Sequence, residues 1–408
     1  MSISALERRI KKIPGVNKFY IGHYGYLKER FYSLNRSLCL LKTPIYVHWL
    51  TSYDCNFRCK HCEANAGERK TDPLTTEDIS RAVRDMGKLG VRTFIVTGGE
   101  PLLRKDIFEV MALAKEQGIK KIFLGTNGSL VDQFKDPLRK AGLSRVHVSI
   151  DGLEDTNDQF RGMKGAFRKA LQALDFFKEI GIKERVVSTL IHSGNIHELE
   201  GFKKTLLASS ATMWNVQLAV PIGRAKNVSS LYLDAPQFRH LVEFLMKTAK
   251  VFNVQPSDTA GFLGRWDAEL RPLPFFCGAG LETCSIMPDG EVLGCHIIYD
   301  NAYSAGNIKN TSFQSIWEGN AGRFKQPALD KDCQGCQYLH ACTDIVASAA
   351  DMIAHLWHPV DHDGITLDAA IFLHDDSVRT GRDRCAGKNT RSRAGHERPA
   401  HLARRNAL

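Results

Sequence analysis

From about residue 45 the chain alternates short β-rich runs with longer stretches whose apolar residues recur three and four positions apart. The short runs cover 45–50, 93–97, 121–124, 145–150, 185–191 and 214–220. The helical stretches between them include 79–89, 107–114, 167–180 and 199–207. A period of two marks a strand and a period near 3.6 marks a helix. Strand–helix units in succession imply a parallel sheet with right-handed crossovers. Six such units are too few for a closed eight-stranded barrel. The expected fold is therefore α/β, an open partial (β/α)6 barrel.

The rhythm changes after residue 250. A loop rich in Asp, Pro and Gly covers 256–274, and short strands, turns and cysteines follow it. Pro288-Asp289-Gly290 sits between Ser285-Ile286-Met287 and Glu291-Val292-Leu293. Asp-Gly between apolar runs signals a hairpin. The expected organisation is an N-terminal arm (1–44), the partial barrel (45–250), a small cysteine-rich α+β domain (271–345) and a basic tail (346–408). A unit as small as the third needs metal to hold it together.

Of the 408 residues, 43% are hydrophobic and 25% charged, the balance of an ordinary globular protein. No apolar run approaches the ~20 residues that span a bilayer. The first twelve residues are polar and charged, without the apolar core of a secretory signal. The expectation is a cytoplasmic protein with no membrane partner. The net charge is +10, but +7 of it lies in 379–408. No recognition module accompanies that charge, so nucleic acid is not an expected partner.

The chain has eleven cysteines. In a reducing compartment, clustered cysteines are metal ligands more often than disulfides. Cys55-Asn56-Phe57-Arg58-Cys59-Lys60-His61-Cys62 follows directly on the first strand. Three thiolates on one short loop can hold three irons of a [4Fe–4S] cluster and leave the fourth open for a cofactor. By spacing alone, a zinc knuckle completed by His61 is the other reading. One strand later comes Thr97-Gly98-Gly99-Glu100-Pro101. Its glycines let a ligand approach the backbone, and its carboxylate can accept from an ammonium. By itself the string also reads as an ordinary turn.

Together these motifs resemble the signature of the radical S-adenosylmethionine superfamily over about residues 45–225. The resemblance implies a cluster on Cys55, Cys59 and Cys62, and a seat for the methionine amino group at Gly98, Gly99, Glu100 and Pro101. Thr126-Asn127-Gly128 and Ser149-Ile150-Asp151-Gly152 look like family strand ends. Asn127, Ser149 and Asp151 are accordingly cofactor- or substrate-facing candidates, although Asp151 also suits a simple Asp-Gly turn. Arg161 is the candidate for the methionine carboxylate, by bidentate pairing. Asn195, after the fifth strand, is a further cofactor candidate.

Pro288-Asp289-Gly290 with Cys295, and Cys333-x2-Cys336-x5-Cys342, resemble the SPASM extension of the same superfamily. Pro221-Ile222-Gly223-Arg224-Ala225 is also familiar from these enzymes. The extension implies up to two auxiliary [4Fe–4S] clusters. By motif position, Cys277, Cys284 and Cys295 would ligate one, and Cys333, Cys336 and Cys342 the other. Zinc sites that only fold the domain are the bland alternative. After Cys342 the sequence departs from the family pattern. Thr343 to Val346 stand where a further cysteine belongs, and the next cysteine is Cys385. Either a frameshift or truncation replaced the end, or Asp344, Cys385 or another ligand completes the clusters.

The resemblance implies an enzyme that takes one electron from a reductant such as flavodoxin or ferredoxin. It cleaves S-adenosylmethionine to a 5′-deoxyadenosyl radical and removes a hydrogen atom from a peptide or small-molecule substrate. Oxidative modification of a peptide or protein is the first expectation. Porphyrin-derived cofactor synthesis, acting on propionate side chains, is the second. Molybdenum-cofactor cyclases, which the string from Thr97 to Arg104 resembles, come third, and a non-catalytic iron–sulfur scaffold or sensor is the non-enzyme reading.

Overall fold

The computed structural model describes residues 43–68, 73–261, 263, 266–271, 275, 278–297 and 299–320. In chain order the elements are β1 (Tyr46–Leu50), α1 (Thr76–Leu89), β2 (Thr93–Thr97), α2 (Ile107–Glu116), β3 (Lys121–Thr126), α3 (Lys135–Lys140), β4 (Arg145–Ser149), α4 (Glu154–Arg161), α5 (Ala166–Glu179), β5 (Glu184–Ile191), α6 (Leu199–Ala208), β6 (Met213–Leu218), α7 (Ala235–Thr248), β7 (Val254–Pro256), α8 (Asp267–Leu270), β8 (Thr283–Ile286), β9 (Val292–Leu293) and α9 (Phe313–Asn320). They build one sheet in the order β7-β6-β5-β4-β3-β2-β1-β8-β9. Every neighbouring pair is parallel except the β8–β9 hairpin.

Local chemistry sets the helix ends. Thr75 and Asp78 form a capping box on α1, and Gly90 closes it in the left-handed conformation. Asp234 and Gln237 do the same at the start of α7, with a proline in its first turn. Each cap satisfies backbone groups the helix cannot pair internally.

Strand alternation sorts residues onto two faces. Val47, Trp49, Phe94, Val96, Val146, Val148, Trp214 and Val216 are buried in the main core with the helices. The opposite, inner face carries His48, Thr97, Gly125, His147, Ser149, Ser188, Asn215 and Gln217, all half-buried. Ile95, Phe123 and Val186 share this face; fully buried parallel sheets are apolar on both faces, so the polar positions among them mark a working surface.

In its described residues the cysteine-rich segment continues the barrel sheet. β8 pairs with β1 in parallel, placing Cys284 beside Val47 and Ile286 beside Trp49. Ile286, Val292, Phe313, Ile316 and Trp317 join the same core as Val47 and Trp49. The six expected strands therefore become nine, through β7 at one edge and the hairpin at the other.

Two histidines predict an acid limb of stability. Burial lowers the pKa of His147 and of His192 from 6.5 to about 4. Between those values the unfolded chain binds more protons than the folded one. Their contribution is thus fully present above pH 6.5 and is lost as pH falls towards 4. His147→Gln is expected to flatten that loss. Urea midpoints at about pH 7 and about pH 5 check it, and an unchanged difference between the two would contradict it.

Candidate active site

The loop leaving β1 carries Cys55, Cys59 and Cys62 as free thiols, Cys59 buried and the other two half-buried. They pack together with Phe57 and Ala166. Backbone N–H groups of Phe57 and Ala66 donate to the Cys55 and Cys62 sulfurs at 3.4 and 3.3 Å. Arg58 folds the loop on itself, donating to the carbonyls of Cys55 and Phe57 at 3.0 Å and of Gly67 at 3.3 Å. From outside the loop, the Arg58 and Lys60 N–H groups donate to the carbonyls of Arg161 (3.2 Å) and Phe160 (3.0 Å) at the end of α4.

The Gly98–Pro101 turn lies against this loop. Gly99 N–H donates to the Ser52 carbonyl at 2.9 Å, and Glu100 N–H to the Asp54 carbonyl at 2.8 Å. A side chain on Gly99 would place its Cβ 2.0 Å from the Asp54 oxygen, and Gly98 has φ +132°. The Glu100 carboxylate is fully buried. It accepts from Leu102 N–H (3.3 Å), Thr126 Oγ1 (2.9 Å) and Asn127 N–H (2.8 Å). Three of a carboxylate's roughly four acceptor sites are thus spent, two of them on tying the turn after β2 to the end of β3. Asn127 extends the tie, donating through Nδ2 to Asn56 of the cysteine loop at 2.8 Å. Pro101 opens a short 3-10 turn, Pro101–Leu103.

Ser149 ends β4, in register with Ser188 on the inner face. Asp151 is buried just beyond it. Its Oδ1 accepts from Leu190 N–H at 2.8 Å and its Oδ2 from Arg161 Nη1 at 2.5 Å. Burial works to raise the Asp151 pKa, but the Arg161 charge, nearby His61 and the hydrogen bonds from Leu190 N–H and Arg161 together outweigh it and hold the carboxyl below its ordinary value. Asn195 uses its amide inside the protein. Nδ2 donates to the carbonyls of Asp151 (3.0 Å) and Leu190 (2.8 Å), and Oδ1 accepts from His192 N–H (2.8 Å). It holds the turn after β5 rather than presenting a donor. Beside it, Phe160 is stacked between His61 (4.8 Å) and His192 (4.2 Å).

These residues fit a cluster and S-adenosylmethionine. Burial pushes the Cys55 thiol up to about 11 and raises Cys59 as well, so iron must displace protons to bind, as metals do at thiol sites. Arg161 Nε and His61 Nδ1 are buried without a partner among the described residues. Such orphans are costly unless a ligand satisfies them. Gly98 and Gly99 supply the close backbone approach.

One expected ligand lies among core side chains. Cys284 is 0% exposed in the hydrophobic core, on the same face as Val47 and Ile286. Cys295 follows β9 and precedes His296, whose ring stacks on inner-face His48 at 4.4 Å. In that position Cys284 packs as a small core residue would. Cys277, Cys333, Cys336 and Cys342, like Cys385 and the tail, lie outside the described residues.

The motif reading assigned no role to Gly223 and Arg224, yet they grip the cysteine loop. Arg224 Nε donates to the Cys59 carbonyl at 2.8 Å and Nη1 to the Ala66 carbonyl at 3.0 Å. Only the Pro221–Ala225 string hinted at it.

Comparison with known proteins agrees with this geometry. The radical SAM superfamily profile matches residues 49–206, and an iron–sulfur cluster-binding domain profile, SPASM, matches residues 277–337. The mycofactocin maturase MftC of Mycolicibacterium smegmatis is 30% identical over 74% of this chain and 78% of its own. An AdoMet-dependent heme synthase of Oleidesulfovibrio alaskensis is 27% identical over 72% of this chain and 81% of its own. The fold resembles Streptococcus suis SuiB bound to precursor peptide SuiA, with a TM-score of 0.60 at 17% identity over 78% of this chain and 75% of that one. The chain belongs to the radical SAM superfamily, as an enzyme of [4Fe–4S] and S-adenosylmethionine chemistry that carries the SPASM iron–sulfur extension.

Proposed function

We propose that the enzyme oxidatively modifies a peptide, with a flavodoxin- or ferredoxin-type protein as reductant. The observation that carries this reading is the inner face. His147, Ser188, Asn215 and Gln217 offer hydrogen-bonding but uncharged partners below the cysteine loop. The charged residues on this face, Lys121, Arg145 and Glu184, stand at the starting ends of their strands, away from that loop. Arg145 is bound there to Glu184 and lies 4.7 Å over the Phe123 ring. A peptide segment matches amide and hydroxyl partners. A porphyrin's propionates would call for free cations, because buried carboxylates need pairing. The 30% identity to a protein named a maturase supports the same reading.

With cluster and S-adenosylmethionine bound, the cofactor pair supplies a carbon-centred radical able to remove a hydrogen atom. The chain's residues orient and shield that chemistry. Gly98 and Gly99 bring main chain to the methionine amino group. Arg161 Nε offers a donor to its carboxylate, while Asp151 keeps the guanidinium in place. The His61–Phe160–His192 stack closes one side against water, and the inner face orients the substrate.

The test offers the reduced, reconstituted enzyme two substrates separately: a short synthetic peptide carrying cysteine and aromatic residues, and ferric coproporphyrin III. The expected result is a peptide that loses the mass of two hydrogens, with matching 5′-deoxyadenosine. Turnover of the porphyrin with an unchanged peptide would overturn the reading in favour of porphyrin-derived cofactor synthesis.

A further inference from the structure

The turn after β6 reaches the cysteine loop from 165 residues further along the chain, as the separation of Arg224 from Cys59 shows. It grips that loop at three carbonyls. Arg224 N–H donates to the Cys62 carbonyl at 3.0 Å. Its Nε and Nη1 donate to the carbonyls of Cys59 (2.8 Å) and Ala66 (3.0 Å). Gly223 makes that approach possible. Its φ is +59°, and a Cβ there would lie 2.3 Å from the Glu63 carbonyl oxygen and 2.4 Å from that of Cys62. The limb carrying Cys59 and Cys62 is thus fixed to the end of a sheet strand.

The charge of Arg224 differs in setting from its two neighbours. Arg161 is neutralised by buried Asp151 at 2.5 Å. Arg58 contacts only carbonyls of its own loop in the hydrogen bonds described. Arg224 faces Glu68 at 3.5 Å, a side chain 58% exposed, so screening leaves that pair weak.

We propose that Arg224 is a positioning residue that holds the Cys59–Cys62 limb, and that its charge favours the reduced cluster. A cluster that gains one electron becomes more negative by one charge. A fixed guanidinium beside it stabilises that state. The electron comes from the external reductant, and no proton or bond change is involved. The inference rests on the family's cluster being held by this loop and is independent of which substrate the enzyme takes.

The experiment uses the full chain, reconstituted anaerobically. Two quantities are read: the reduced fraction of the cluster whose spectrum changes when S-adenosylmethionine is added, at fixed ambient potential, and the rate of iron release to a chelator. Arg224→Gln is expected to lower the reduced-to-oxidised ratio about tenfold, equivalent to ~59 mV for a one-electron couple, and to speed iron release. Arg224→Lys keeps the charge but not the fork, so it should keep the ratio while releasing iron faster. Gly223→Ala keeps the charge and pushes on the loop, and should also release iron faster. Circular dichroism checks that each variant folds, and if Arg224→Gln does not, the other two still decide the positioning role. Wild-type iron release in Arg224→Lys and Gly223→Ala overturns positioning. A wild-type ratio in Arg224→Gln, or an equal drop in Arg224→Lys, overturns the role of the charge.

Discussion

Gly99→Val is expected to leave a folded protein whose cleavage of S-adenosylmethionine falls by about 100-fold or more. The added Cβ would stand 2.0 Å from the Asp54 carbonyl oxygen, 2.7 Å from its carbon and 3.3 Å from the Cys55 Cβ. The obstacle is backbone and cannot rotate aside, so the cysteine loop or the turn must shift. A misplacement of about 1 Å in a reacting constellation costs on the order of 100-fold. Gly319→Ala is the control, since a Cβ there meets nothing within 4 Å. Formation of 5′-deoxyadenosine under excess reductant measures the effect. Activity within about twofold of wild type would show that the turn does not seat the cofactor against the loop.

Asp151→Ala is expected to destabilise the fold by about 3–5 kcal/mol, the cost of leaving a buried charge unpaired. The Asp151 and Arg161 side chains are 3% and 8% exposed, so solvent screens the pair little. Leu190 N–H loses its acceptor in the same variant. Adding Arg161→Met to Asp151→Ala should restore part of the loss, because the stranded charge is then gone. Denaturant midpoints for the two singles and the double close the cycle. A loss under about 1 kcal/mol for Asp151→Ala would mean the guanidinium finds water or another partner.

Much of this was legible in the sequence because strand and helix periods are local. The run at 93–97 coincides with β2, and the others differ from β1, β3, β4, β5 and β6 by one or two residues at their ends. The Asp-Gly hairpin was equally readable, since turn chemistry is local too. What pairs with what is not local. That β8 would lie beside β1, about 240 residues away, required the pairing itself. β7 was missed because three residues ending in Pro256 read as loop. Helices α4 and α7 were not marked out either: eight polar-rich residues carry little period in α4.

The candidate site divides the same way. Motif position gave Cys55, Cys59, Cys62 and the Gly98–Pro101 turn. It could not show that the Glu100 carboxylate is largely spent on β3, nor that the Asn195 amide is wholly spent on the β5 turn. Cys284 carried a usable signal that motif reading passed over. In Thr283-Cys284-Ser285-Ile286 alternation puts Cys284 on the face of Ile286, the core face. For Arg224 the Pro221–Ala225 string was the one local signal, and it could not show the role, because the partners are carbonyls on a distant loop.

The claim at the centre is that Cys55, Cys59 and Cys62 hold one open cluster, separate from iron in the extension. Iron and sulfide per chain after anaerobic reconstitution test it most directly, for wild type, for Cys284→Ser and for Cys55→Ala/Cys59→Ala/Cys62→Ala together. The triple variant should lose about four irons and keep the remainder, while Cys284→Ser should match wild type. A triple variant that retains all its iron, or a wild type that takes up only zinc, would contradict the account.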